Sequence, residues 1–153
     1  MGSSSHLAVA PIAPEQLLGA FMAEVQGAGA VVTFSGVARP LGAAGGSLQR
    51  LHLQHYPGMT EASLQRIAQA ATERFDVSNV HVVHRCGDIA PGETIVFVAA
   101  ASRHRRAAFE AADYMMDRLK TEAVFWKRED GPDGARWIEP TDTDHEDAAR
   151  WEK

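Results

Sequence analysis

The longest unbroken apolar run in the chain is Ile95-Val96-Phe97-Val98-Ala99-Ala100-Ala101, seven residues. It falls far short of the roughly 20 residues that a helical bilayer crossing demands. Its length, its β-branched and aromatic content and the Pro91-Gly92 turn signal upstream suit a strand at the centre of a sheet, from Thr94 to Ala101. The remaining segments therefore read as elements laid around a buried strand.

Leu7 to Ile12 predicts a short edge strand limited by Pro11, and Met1 to His6, without the basic start and apolar core of a secretory signal, reads as a tag-like terminus outside the fold. Pro14 suits the first turn of a helix, where its missing N–H is not needed. Leu17, Leu18, Phe21 and Val25 then recur at helical spacing until Gly27 and Gly29. Ala30 to Val37 is rich in β-branched residues and reads as a strand. Pro40 to Ser47, with Pro40, Gly42, Gly45 and Gly46 and no charge, reads as a flexible loop. Leu48 to Tyr56 predicts a second strand, with Leu51, Leu53 and His55 on one face and Arg50, His52 and Gln54 on the other.

A break at Tyr56-Pro57-Gly58-Met59-Thr60 precedes a helix to Phe75, with Leu64, Ile67, Ala68 and Ala71 on one stripe. Val77 to Arg85 follows as a strand, Asp88 to Glu93 as a turn, and His104 to Lys120 as a helix whose apolar face carries Ala108, Ala112, Met115 and Leu119. Val124 to Arg128 and Ala135 to Glu139 flank Asp130-Gly131-Pro132-Asp133-Gly134 as a terminal hairpin. Thr141 to Lys153 reads as a loose polar tail. The expectation is one domain over residues 7–140, α+β in class, with a largely antiparallel sheet.

Fifteen Lys and Arg against 20 Asp and Glu leave a net charge of −5, which argues against a general nucleic-acid binder. The single cysteine, Cys86, excludes an internal disulfide framework and a cysteine zinc cage, and fits a reducing, cytoplasmic setting. Of the seven histidines, His52 and His55, and likewise His81 and His84, lie three apart on strands and face opposite sides. They read as surface or hydrogen-bonded rings, so no metal is expected. There is no Gly-x-Ser-x-Gly elbow and no phosphate-binding Gly-x-x-x-x-Gly-Lys loop. Cys86 beside Arg85 reads as a semi-buried thiol before it reads as a nucleophile.

The basic residues carry more information. Ser102-Arg103-His104-Arg105-Arg106 stands where a strand enters a helix, a junction that favours anions and disfavours cations. It is either a solvated face paired with Glu110 or Asp113, or an anion site. Lys120 closes the long helix, where a cation is welcome. Lys127 follows Val124-Phe125-Trp126 in an apolar strand. Trp126 and Lys127 point to opposite faces, so one belongs to the core and the other to a partner or pocket. Arg39 ends a strand beside the glycine loop.

Six segments in one order carry a family resemblance. They are Gly29 to Gly36, His55-Tyr56-Pro57-Gly58-Met59-Thr60, His84-Arg85-Cys86-Gly87-Asp88-Ile89 with Pro91-Gly92-Glu93, Ser102-Arg103-His104-Arg105 leading to Ala108 to Ala111, Met116-Asp117-Arg118-Leu119-Lys120, and Phe125-Trp126-Lys127-Arg128-Glu129. The chain resembles the large, catalytic subunit of molybdopterin synthase over about residues 7–139. The resemblance implies an α/β-hammerhead-like fold with a small additional antiparallel sheet. It implies a sulfurtransferase of molybdenum cofactor biosynthesis that moves sulfur onto cyclic pyranopterin monophosphate to form the dithiolene. The sulfur donor would be the C-terminal Gly-Gly thiocarboxylate of a small ubiquitin-like subunit. A homodimer of large subunits would bind one small subunit at each end, a heterotetramer needing no cofactor of its own. Carried over by position, Lys120 and Lys127 would be catalytic at the thiocarboxylate. Arg39, His104 and Arg105 would bind the substrate, with Phe34 and Met116 on the pocket wall, and a tight turn at Thr121 to Ala123 would bring both lysines to that pocket. The sequence departs from the family pattern at Val124, where a proline is common, in the uncharged loop after Ala38, and at Thr141. A rival reading is a non-catalytic scaffold that docks the ubiquitin-like partner. The retained Lys120, Lys127, His104 and Arg105 favour the enzyme.

Overall fold

A computed structural model describes residues 2–152. The elements in chain order are β1 Gly2–Ala8, α1 Pro14–Glu24, β2 Ala30–Val37, β3 Arg50–His55, α2 Met59–Arg74, β4 Asn79–Arg85, β5 Gly87–Ile89, β6 Thr94–Ser102, α3 Arg105–Glu122, β7 Phe125–Gly131, β8 Gly134–Ile138 and α4 Asp142–Ala149, with a closing 3-10 turn over Arg150–Glu152. They build two four-stranded sheets, ordered β1-β4-β6-β2 and β5-β3-β7-β8. Every strand pair is antiparallel except β1 with β4. The expected α+β architecture, a largely antiparallel main sheet with a second antiparallel sheet, is the observed one.

The apolar run of β6 is covered on both faces because its alternate residues feed two cores. Val96, Val98 and Ala100 pack with Leu64 and Ile67 of α2 and Ala111, Met115 and Leu119 of α3. Phe97, Ala99 and Ala101 pack with Phe21 and Val25 at α1. A third, smaller core of Ala38, Leu51, Leu53 and Ile89 backs the second sheet, and Phe125 touches both this core and the α2–α3 core, which joins the two sheets.

Four local differences from the sequence expectations have physical causes. The first strand begins at Gly2 rather than Leu7: residues 2–6 pair with residues 79–83 of β4. That ladder uses main-chain groups, so the serines impose no hydrophobic signal that a pattern would detect. The Asp88 to Glu93 turn contains β5, which pairs with β3; at three residues it is too short for periodicity to reveal. Pro40 to Ser47 is a tied turn rather than a free loop, with Leu41 bridging Ser47, the Leu48 amide on the Pro40 carbonyl at 2.9 Å and the Ala43 amide on the Glu129 carboxylate at 3.0 Å. The tail folds onto the body. Thr141 caps α4 by accepting from the Asp144 amide at 3.1 Å, while the Asp144 carboxylate accepts from the Thr141 amide at 2.9 Å, a reciprocal capping box. Trp151 then sets its ring edge-on to Phe75 and Tyr114.

Candidate active site

Three elements meet where the two sheets join: the end of β2, the end of α3 and the start of β7. Arg39 follows β2 beyond a register shift at Gly36 and Val37, an irregularity of the kind that re-aims a strand. Its position is fixed from behind, because buried Ala38 donates its amide to the Glu93 carbonyl at 2.9 Å and accepts from the Gly92 amide at 2.8 Å.

Lys120 is exposed in the last turn of α3. The helix continues to Glu122, so the connection to β7 is Ala123-Val124 alone and not the Thr121 to Ala123 turn expected from sequence. Thr121 stays helical, its hydroxyl donating to the Asp117 carbonyl at 3.0 Å. The helix stops because α2 takes hold of the next peptide. The Val124 amide donates to Ser63 Oγ at 3.1 Å, and the Val124 carbonyl accepts from Thr60 Oγ1 at 2.6 Å. Both hydroxyls are fully buried, and Ser63 donates in turn to the Thr60 carbonyl at 2.7 Å. Position 124, expected from the resemblance to depart from the family pattern, carries an N–H here, and the fold uses it.

Lys127 pairs with Leu53 across β3 and shares the inner face of the second sheet with Leu51 and Leu53. Trp126 takes the outer face, 51% exposed and edge-on to Trp137. Lys127 is thus the inward residue. Burial pushes its amine below the usual lysine range. The charges of Lys120 and Arg39 act in the same direction, opposed by Glu129 and Asp144. Arg39, Lys120 and Lys127 therefore share one electrostatic neighbourhood, with Glu129 holding the Ala43 amide on one side and Asp144 of α4 on another.

Beneath this cluster lies His84, a ring whose strand spacing predicts only a surface or hydrogen-bonded histidine. It is buried in β4, stacked on Phe125 with ring centroids 4.4 Å apart, and its Nδ1 meets the Arg85 carbonyl at 2.8 Å. Burial lowers its pKa to about 4, partly offset by that carbonyl, and the Lys120 charge lowers it further. The ring is neutral at physiological pH, with Nδ1 the donor and Nε2 its remaining acceptor. No local pattern could have flagged it, since Phe125 reaches it only through the fold.

His104 and Arg105 stand elsewhere. They begin α3, whose 18 residues end beyond Lys120. At 1.5 Å per residue, Arg105 and Lys120 are about 22 Å apart along the axis. The single basic pocket expected from sequence does not form within one chain. Among the described residues Arg105 has no ion-pair partner; Asp113 is engaged by Arg150 at 2.6 Å and Arg103 lies 4.0 Å from Asp76. Phe34 and Met116 lie between the two ends. Phe34 pairs with Val98 and so faces the α3 side of the sheet, 44% exposed, while Met116 packs partly against the α2–α3 core.

Other chemistries find no support among the described residues. Cys86 is buried, and burial raises its pKa despite Arg85 beside it. No group of three His, Cys, Asp or Glu side chains is placed to hold a metal. No helix is long and apolar enough to cross a membrane.

Residues 7–122 match the family model for the MoaE protein. The molybdopterin synthase catalytic subunit of Caulobacter vibrioides is 54% identical over 143 residues, covering 94% of this chain and 93% of that protein. The molybdopterin biosynthesis MoaE protein of Burkholderia ambifaria superposes with a TM-score of 0.82 at 37% identity, covering 100% of this chain and 99% of that one. Molybdopterin synthase of Staphylococcus aureus superposes with a TM-score of 0.76 at 29% identity, covering 86% of this chain and 94% of that one.

Proposed function

The chain belongs to the MoaE protein family, with molybdopterin synthase catalytic subunits among its relatives, and from that footing we propose how its residues divide the work of sulfur transfer. The substrate is cyclic pyranopterin monophosphate. The donor is a thiocarboxylate on the C-terminal Gly-Gly of a small ubiquitin-like subunit, and the setting is cytoplasmic. Two anions, a phosphate and a thiocarboxylate, must then meet, and a cluster of cations compensates their repulsion. The reading is carried by the half-buried amine of Lys127 held beside Lys120 and Arg39, an arrangement that costs stability unless an anion enters.

Lys120, exposed in the last turn of α3, approaches the thiocarboxyl carbon. It stabilises negative charge there as the sulfur bonds to the pterin, the acyl carbon–sulfur bond breaks and water supplies the oxygen that leaves the small subunit as a carboxylate; its side reaction is an amide with that carbon, formed with release of hydrosulfide. Lys127, less basic than an ordinary lysine, orients the substrate and gives or takes a proton. Arg39 holds an anionic group through its planar fork, with Phe34 and Met116 as apolar wall. His104 and Arg105, about 22 Å from Lys120 along α3, serve a site completed by a second copy of the chain. The homodimer, with a small subunit at each end, is thus part of the active site.

The test is dithiolene formation from cyclic pyranopterin monophosphate and thiocarboxylated small subunit. The wild-type chain should convert substrate with loss of the thiocarboxylate. A chain that binds the small subunit yet forms no dithiolene would replace this reading with a scaffold role.

A further inference from the structure

We propose that Arg85 is a positioning residue for sulfur transfer. Its buried guanidinium holds the turn that clasps residue 38, and so sets the aim of Arg39. The inference rests on the reading that Arg39 holds an anionic group of the substrate.

Arg85 ends β4, two residues beyond Val83 and so on the same face of the strand, with its side chain only 4% exposed. An arginine keeps its proton in a protein, so a full charge is enclosed there. Both of its polar contacts lie on one segment. Nη2 donates to the Asp88 carbonyl at 2.8 Å, and Nη1 lies 3.8 Å from Oε1 of Glu93. Among the described residues Nε and Nη1 find no hydrogen-bond partner. Enclosing a charge so sparsely bonded is costly, and an apolar side chain of similar volume often serves stability as well. The use of this charge is therefore to be sought in the segment it grips.

That segment closes in a tight turn. The Glu93 amide donates to the Ala90 carbonyl at 3.0 Å, and Glu93 Oε1 accepts from the Ala90 amide at 2.7 Å. Gly92 follows Pro91 with φ at +90°, the left-handed conformation that the third position of such a turn requires. The carboxylate that closes the turn is thus the one that faces Arg85, while the Asp88 carbonyl ties the segment's start to the same guanidinium.

The main chain of this turn meets the main chain beside Arg39. The Ala38 amide donates to the Glu93 carbonyl at 2.9 Å, and the Gly92 amide donates back to the Ala38 carbonyl at 2.8 Å. On the other side of Arg39, the Pro40 carbonyl accepts from the Leu48 amide at 2.9 Å. Both neighbours of Arg39 are tied, and the tie at residue 38 leads back through Glu93 to Arg85. A planar guanidinium fork matches an anion only in a narrow range of directions, so a loosened turn weakens what Arg39 holds. Lys120 and Lys127 are fixed instead through Val124 and the hydroxyls of α2, and keep their places. Loss of Arg85 should therefore act on substrate binding before it acts on the chemical step.

The test is steady-state dithiolene formation by full-length chains with saturating thiocarboxylated small subunit and varied cyclic pyranopterin monophosphate. Arg85→Met should raise KM for the pterin about five-fold or more while kcat stays within about two-fold. Arg85→Lys should restore this only in part, since one ammonium cannot reach both contacts. The same substitution is then made in Arg39→Ala, where it should change KM by less than about two-fold, because the residue it positions is gone. A merely structural loss would lower the melting temperature in both backgrounds and show no such dependence on Arg39. If Arg85→Met does not fold, Glu93→Gln takes its place: it keeps an acceptor for the Ala90 amide, removes the charge facing Arg85, and should raise KM about three-fold or more, again only where Arg39 is present. An unchanged KM in the folded variant, an equal KM change in both backgrounds, or a kcat loss larger than the KM change overturns the positioning role. If Arg39→Ala itself raises KM, the substrate reading stands despite that result. An unchanged KM in Arg39→Ala overturns that reading and this inference with it.

Discussion

The Val124 amide donates to Ser63 Oγ at 3.1 Å, and that bond fixes the two-residue link between the helix of Lys120 and the strand of Lys127. Ser63→Ala strands a part-buried N–H, which costs roughly 1–3 kcal/mol. We expect a lower melting temperature and slower turnover. Val124→Pro in that background removes the stranded donor, and Ala123 is already extended, as a residue before proline must be. The double variant should therefore be more stable than Ser63→Ala alone. Equal or greater loss in the double variant would contradict the role given to this bond.

His84 makes the protein acid-sensitive in a defined window. Its folded pKa is lowered to about 4 from an ordinary 6.5, so as pH falls the unfolded chain takes up the proton first. Stability contributed by the neutral ring is complete above about 6.5 and is lost as pH falls toward about 4, by about 3 kcal/mol in all. His84→Phe keeps a ring on Phe125 and cannot titrate. Denaturant melts from pH 7 to pH 4 should show a shallower loss of stability for the variant. Parallel curves would refute the assignment.

Lys127 is a cost to the fold at neutral pH. Burial, Lys120 and Arg39 together lower its amine from the ordinary 10.5, so the unfolded chain binds the proton more tightly. The sign follows: wild-type stability rises as pH climbs through the folded value toward 10.5. Lys127→Met should raise the melting temperature at pH 7 while abolishing most turnover. Its stability advantage should shrink as pH approaches 10.5. A variant less stable than wild type at pH 7 would mean that the amine has a stabilising partner.

The tail is part of the domain. Buried Asp117 accepts from Arg150 at 2.8 Å and from the Trp151 indole at 2.7 Å. Removing Thr141 to Lys153 leaves that carboxylate unpaired and uncovers Tyr114 and Phe75. The truncated chain should lose about 3–5 kcal/mol, as when one partner of a buried ion pair is removed. Asp117→Asn in the truncated chain should recover part of it. Urea melts of the three chains decide this.

Much of the fold was legible because hydrophobic period and punctuation agreed. Ile95 to Ala101 announced a central strand, and the Asp130 to Gly134 turn announced the terminal hairpin. Polar segments hid their structure. Residues 2–6 pair through a main-chain ladder and a Ser4–His81 side-chain hydrogen bond that no apolar pattern marks, and α4 is a short polar helix whose only local mark is the Thr141–Asp144 cap. The site followed the same division. Lys127 stood out as a lysine in an apolar strand, and the structure turns it inward. His84 and Glu129 gave no sign, because the ring that stacks on one and the Ala43 amide that binds the other come from distant segments. The about 22 Å between Arg105 and Lys120 could have been read from helix length alone.

The most direct measurement of the divided site mixes two inactive chains. Lys120→Ala and Arg105→Ala, each as a purified dimer with thiocarboxylated small subunit, should form dithiolene about 100-fold more slowly than wild type. Co-expressed in equal amounts, half of the dimers are mixed, and each mixed dimer holds one intact site. Activity should return to about a quarter of wild type. A mixture no more active than its parents would contradict a site shared between copies, and near-normal turnover by Lys120→Ala alone would contradict the role of the lysine.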